Sequence, residues 1–177
     1  MFSQQTLDEV KSKLDIMRRN DSQMKVREFT QEDSLCRKAY FAGPWFTDKD
    51  MEVMKYCEEV SDLLAKNKVT SIYFPRQHQY DTPQETYFSN CERIEKCDEV
   101  LALIQTKDVG TAFEIGYAKA LGKSVVFVLY DEDCLKSKTN IMLAYGHGCI
   151  LLSDLMAYLN GYAVNTYWYS NEWEGKE

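Results

Sequence analysis

No stretch of this 177-residue chain approaches the roughly 20 consecutive apolar residues that a membrane-spanning helix needs. The first 20 residues also lack the apolar block of a secretory signal, so the expected compartment is the cytoplasm. Six cysteines are present (Cys36, Cys57, Cys91, Cys97, Cys134, Cys149), yet none forms a CxxC pair. With only His78 and His147 to assist them, no metal site is expected, and the thiols read as small buried apolar groups. Neither GxGxxG nor a GKS/T phosphate loop occurs, which removes support for a dinucleotide or a P-loop nucleotide. Positive charge is also short: 21 Lys and Arg against 28 Asp and Glu leave a net charge of −7. Such a chain repels a phosphate backbone, so a nucleic-acid polymer is a poor partner. No internal repeat or low-complexity segment is evident.

What is there suffices for one domain. Apolar residues make up 45% of the chain, an ordinary share for a protein with a real core. Residues 1–37 stand apart as an N-terminal extension. Leu7, Val10, Leu14 and Met17 recur at helical spacing, and a charged stretch follows, as in a linker or an arm packed on a partner. Residues 165–177 form an aromatic tail with Tyr167, Trp168, Tyr169 and Trp173, which reads as packing or an oligomer contact.

Between them, residues 38–164 alternate strand and helix. A strand at 38–42 ends at Gly43-Pro44. Thr47 or Asp48 can cap a helix whose apolar face is Val53, Cys57, Val60 and Leu64. A strand over 69–74 stops at Pro75, and a second helix covers 84–96. The continuous apolar runs at 100–104 and 125–129 suit strands buried on both faces. Between these two runs, Gly110 opens a helix over 111–121 that Gly122 closes. A helical turn at 139–145, a strand at 149–152 and a helix at 154–159 complete the series. This pattern predicts an α/β fold: one doubly wound, flavodoxin-like, five-stranded parallel sheet in the order 2-1-3-4-5, with helices on both faces.

Ligands of such sheets bind beyond the carboxyl ends of the strands. That rim should hold Gly43 to Phe46, Arg76 to Gln79, Lys107 to Gly110, Asp131 to Asp133 and Asn140, with Tyr40 inside the first strand. Asp108 and Glu114 are two carboxylates flanking small residues that let a ligand come close. Two readings of Glu114 stand side by side. Thr111 and Glu114 have the spacing of a capping box, the common role of a glutamate in a first helical turn. Alternatively, the helix N-terminus keeps Glu114 ionised as a nucleophile while Asp108 lends a proton to a leaving group, the division of labour in retaining glycoside cleavage. His78 and His147 read as ordinary polar residues.

Several segments, in order, resemble the nucleoside 2-deoxyribosyltransferase family. They are Tyr40-Phe-Ala-Gly-Pro-Trp-Phe46, Pro75-Arg-Gln-His-Gln-Tyr80, Cys97-Asp-Glu-Val-Leu-Ala-Leu103, Asp108-Val-Gly-Thr-Ala-Phe-Glu-Ile-Gly-Tyr-Ala118 and Asn140-Ile-Met142. The resemblance runs from about Lys38 to Asp154. It implies transfer of 2-deoxyribose between nucleobases through a covalent sugar ester on Glu114, with no cofactor and no metal. It implies that Tyr40 holds the carboxylate and that Asp108 contacts substrate beside it. Gln79 and Phe46 would meet the base, and Gly43 and Gly110 would line the substrate site. Asn140 and Met142 would be lent to a neighbouring subunit's sugar pocket, which requires a homo-oligomer. Asn90 stands where many bacterial members carry an aspartate, and asparagine cannot supply a proton as a carboxylic acid does. Two rivals remain: a hydrolase of deoxynucleoside 5′-monophosphates on the same fold, using Arg76 and Lys107 for the phosphate, and a non-catalytic nucleotide-sensing module.

Overall fold

The computed structural model describes residues 37–65, 70–104, 108–136, 141–144 and 147–167. The helix expected near Leu7, together with Lys107, Asn140, Trp168, Tyr169 and Trp173, lies outside the described residues. Strands β1 (Arg37–Ala42), β2 (Thr70–Tyr73), β3 (Glu99–Leu103), β4 (Ser124–Leu129) and β5 (Gly148–Leu151) form one all-parallel sheet. Its order is β2-β1-β3-β4-β5, as the alternating pattern predicts. Helices α1 (Asp48–Ala65), α2 (Pro83–Lys96), α3 (Val109–Ala120), α4 (Ile141–Ala144) and α5 (Leu155–Leu159) fill the crossovers and the end of the chain. Among the described residues, no helix is long and apolar enough to cross a membrane.

The two faces of the sheet follow from the two-residue period of a strand. Tyr40, Ala42, Val100, Ala102, Val125, Phe127 and Leu129 form one buried cluster with Ile94 of α2 and Ile115 and Ala118 of α3. Phe41, Leu101, Leu103, Val128 and Ile150 take the alternate positions and are equally buried. The second face receives α1, with Val53, Met54, Cys57 and Val60 buried, and α5, with Leu155 and Leu159. Each large side chain buried in this way contributes on the order of 1.5–3 kcal/mol, so the continuous apolar runs are the main driving force of the fold.

Local signals place the helix ends. Thr47 starts α1: its hydroxyl accepts from Asp50 N–H at 3.2 Å, and the Asp50 carboxylate accepts from Thr47 N–H at 3.1 Å. Thr82 and Glu85 form the same reciprocal box on α2, with Pro83 as the first helical residue, one position earlier than the sequence suggests. Helix α3 closes where expected. Gly122 has φ +72°, its N–H bonds to Lys119 C=O and that of Lys123 to Ala118 C=O, a Schellman ending.

Two features were not legible in the apolar pattern. Strand β3 begins one residue early, at Glu99, which is fully buried at the amino end of the sheet. Arg37 pairs with its carboxylate and Tyr158 donates to it at 2.9 Å, which offsets the cost of burying the charge. The tail also begins as structure: Tyr167 makes an antiparallel bridge with Cys149 of β5 through bonds of 2.8 and 2.9 Å. Tyr167 packs against the buried cluster and its hydroxyl donates to Glu132 at 3.2 Å, so this first aromatic of the tail pairs with the free edge of β5.

Candidate active site

At the carboxyl rim the sheet and α3 bring together two side chains 74 positions apart in the chain. Tyr40 is fully buried in β1, and its hydroxyl donates to Glu114 Oε1 at 2.5 Å. Burial is the first cause that pushes the Tyr40 hydroxyl far above its ordinary range, and the Glu114 charge adds to it. Tyr40 therefore stays protonated, a fixed donor to Glu114.

The helix start differs from the capping-box reading. The N-cap is Asp108, whose Oδ2 accepts from Thr111 N–H at 2.6 Å and from Thr111 Oγ1–H at 2.7 Å. Helix α3 thus begins at Val109, two residues early, and Glu114 falls in its second turn. Thr111 is occupied by Asp108, so Glu114 is not its capping partner. Gly110 follows the same logic: a Cβ there would lie 3.2 Å from Asp108 Oδ2. Gly43 is constrained by packing too, since a Cβ would come 3.2 Å from Leu103 Cβ and 3.4 Å from Met54 Sδ.

The expectation that the helix terminus keeps Glu114 ionised is corrected on the same ground. The dipole effect fades beyond the first turn, and burial takes over. Burial pushes the Glu114 carboxyl up to about 7; the Tyr40 hydrogen bond opposes this and the Asp108 charge reinforces it. This has a consequence for stability. The usual value is 4.5, so between pH 4.5 and 7 the folded protein holds a proton that the unfolded chain has lost, and stability falls as pH rises through that window. Glu114→Gln should therefore raise stability above pH 7, by at most about 3 kcal/mol, with little effect below pH 4.5. Denaturant melts at pH 4.5 and 8 measure this; an equal effect at both values would contradict it.

The remaining candidates are spread around the rim. Asn90, on α2, has a buried Oδ1 with no hydrogen-bond partner among the described residues. Gln79 donates from Nε2 to Pro75 C=O at 2.7 Å, which fixes the turn after β2. Phe46 is 72% exposed and stacks on Trp45, with ring centroids 5.1 Å apart. Met142 is 82% exposed on α4. Arg76 is held by Glu58: Nε donates to Oε1 at 2.9 Å and Nη2 pairs with Oε2. His78 stacks on Tyr73 with centroids 4.5 Å apart. His147 lies before β5, at the opposite end of the sheet, where burial first and Lys119 second lower it to about 4. Among the described residues, no three His, Cys, Asp or Glu side chains gather into a set that could hold a metal ion.

A half-buried carboxylate and a fully buried tyrosine are thus joined at the carboxyl rim of a doubly wound parallel sheet, the place where small-molecule ligands of such sheets bind. The sequence profile of the nucleoside 2-deoxyribosyltransferases matches residues 39–166, and the chain belongs to that family of transferases. The nucleoside deoxyribosyltransferase of Lactobacillus leichmannii is 30% identical over 114 residues, which cover 53% of this chain and 71% of that protein. The solved 2-deoxyribosyltransferase of Bacillus psychrosaccharolyticus shares the fold at a TM-score of 0.56 and 21% identity, over 69% of this chain and 95% of its own. The 2-deoxyribosyltransferase of Leishmania mexicana overlays at a TM-score of 0.45 with 29% identity, over 59% of this chain and 75% of its own.

Proposed function

We propose that this protein moves 2-deoxyribose from one nucleobase to another through a covalent ester on Glu114. The observation that carries the reading is the hydrogen bond from the buried Tyr40 hydroxyl to Glu114 Oε1. It aims the carboxylate and leaves Oε2 for attack on C1′. The Glu114 oxygen forms a bond to C1′ while the C1′–N bond breaks, and the electron pair of that bond leaves with the base. A second base then attacks C1′ through a ring nitrogen and releases Glu114. The transition state resembles an oxocarbenium ion. Absence of a 2′-hydroxyl favours it, since an electronegative group there would destabilise positive charge at C1′.

The leaving base must gain a proton. Asp108 Oδ2 is engaged with Thr111, so Oδ1 is the carboxyl oxygen left to exchange it, directly or through water. Asn90 can hydrogen-bond the base but cannot protonate it. In this reading Gln79 and Phe46 meet the base, and Gly43 and Gly110 line the substrate site. Asn140 and Met142 serve a neighbouring copy's sugar pocket in this reading, which makes the working form a homo-oligomer.

Hydrolysis of 5′-monophosphates draws less support, because Arg76 is already neutralised by Glu58. Incubation with thymidine, with and without free adenine, tests the proposal. Deoxyadenosine should form only when adenine is present. Thymine release at the same rate without adenine would reassign the protein to hydrolysis. A biological effect that persists undiminished in Glu114→Ala, although turnover is lost, would favour the sensing module.

A further inference from the structure

Tyr73 ends β2 in register with Tyr40, so the two side chains rise from the same face of neighbouring strands. Their rings stack 5.7 Å apart at 25°, which sends both hydroxyls toward the same side of the rim. The Tyr40 hydroxyl is used by Glu114. The Tyr73 hydroxyl is buried and has no hydrogen-bond partner among the described residues. Of its neighbours, Ser89 lies close enough to pull on the hydroxyl but gives its own hydrogen to Tyr80 at 3.1 Å, Arg93 lies over the ring 5.0 Å from its centroid, and His78 stacks on it. Asn90, beside Ser89 on α2, carries a second buried oxygen without a partner.

A buried hydroxyl left unpaired is costly, and nearly all such groups find a partner. The Tyr73 hydroxyl, close enough to Glu114 to feel its charge, and the Asn90 amide oxygen are two buried polar atoms that a ligand could satisfy. The Tyr73 ring is locked by three neighbours, so its hydroxyl cannot swing out to bulk water.

We propose that Tyr73 is a substrate-binding residue whose hydroxyl hydrogen-bonds the polar edge of the nucleobase while Glu114 faces the sugar. This rests on the deoxyribosyl-transfer reading above. The placement follows from strand order. Tyr40 on β1 stands between Glu114 on one side and Tyr73 on β2, so a nucleoside with C1′ at Glu114 extends its base toward Tyr73 and Asn90. Burial raises the Tyr73 hydroxyl above its ordinary range, against the pull of Ser89 and Arg93, so it is a proton donor at neutral pH. Removing the hydroxyl alone, as in Tyr73→Phe, keeps the ring stack intact.

The test is calorimetric titration of the four natural deoxynucleosides into the full chain carrying Glu114→Ala, which binds without turnover, with and without Tyr73→Phe. For the nucleosides that bind, Kd should rise about 5- to 10-fold on Tyr73→Phe, the usual worth of one lost hydrogen bond. In the Glu114-containing enzyme, KM should rise by a similar factor, with the effect on kcat smaller than on KM. The melting temperature should not fall, because an unpaired buried hydroxyl has been removed. An unchanged Kd overturns the role of Tyr73 and leaves the transferase reading intact. Failure of all four nucleosides to bind overturns both.

Discussion

Glu114→Ala should abolish transfer, lowering the rate of base exchange by at least about 10⁴-fold while the protein remains folded. The size of the effect follows from chemistry. Without the carboxylate no ester to C1′ can form, and the reaction falls back on whatever the site provides by orientation alone. Stability is not the reason, because burial makes Glu114 a cost to the fold above pH 7. Two measurements separate the explanations. Intact-mass analysis of the parent protein after mixing with a deoxynucleoside should show one added deoxyribosyl unit on the peptide holding Glu114. The variant should show none. Turnover of Glu114→Ala within tenfold of the parent would remove Glu114 as nucleophile.

Tyr40→Phe should be the next largest loss, about 10²-fold at pH 7, with a distinctive pH profile. The Tyr40 hydrogen bond lowers the carboxyl that burial raises to about 7. Only the ionised carboxylate attacks, so the parent rate should climb as pH rises through about 7. Without the hydroxyl the Glu114 carboxyl moves higher still, and less of it is ionised at neutral pH. The pH profile should therefore shift to higher pH, with part of the deficit recovered above pH 8. The hydroxyl also fixes which Glu114 oxygen faces substrate, so recovery should be incomplete. A deficit independent of pH would mean that Tyr40 acts through packing alone.

Much of the fold was written in local pattern. The apolar runs at 100–104 and 125–129, the breakers Gly43-Pro44 and Pro75, and the glycine at 122 mark strands and ends without reference to distant contacts. The site was legible in part. The segment 108–118 marks Glu114 only through likeness to a family, because a glutamate three residues after a threonine reads equally well as a capping box. Asp108 resolved that ambiguity by taking Thr111 for itself. Arg76 looked available for a phosphate until Glu58, 18 residues earlier on another element, proved to hold it. Tyr73 gave no signal at all in Ser-Ile-Tyr-Phe-Pro, since its importance depends on lying beside Tyr40 in the assembled sheet.

By itself, then, the sequence determined the alternation of strand and helix, the order of the sheet and the position of Glu114 near its rim. These depend on periodicity, turn residues and the handedness of parallel crossovers, all of which are short-range. Tertiary structure decided the surroundings of Glu114 there. A carboxyl near 7, aimed by a tyrosine 74 residues away, exists only once β1 and α3 have packed together and excluded water between them. Burial and hydrogen-bond partnership are properties of the assembled surface, and no local window of residues contains them.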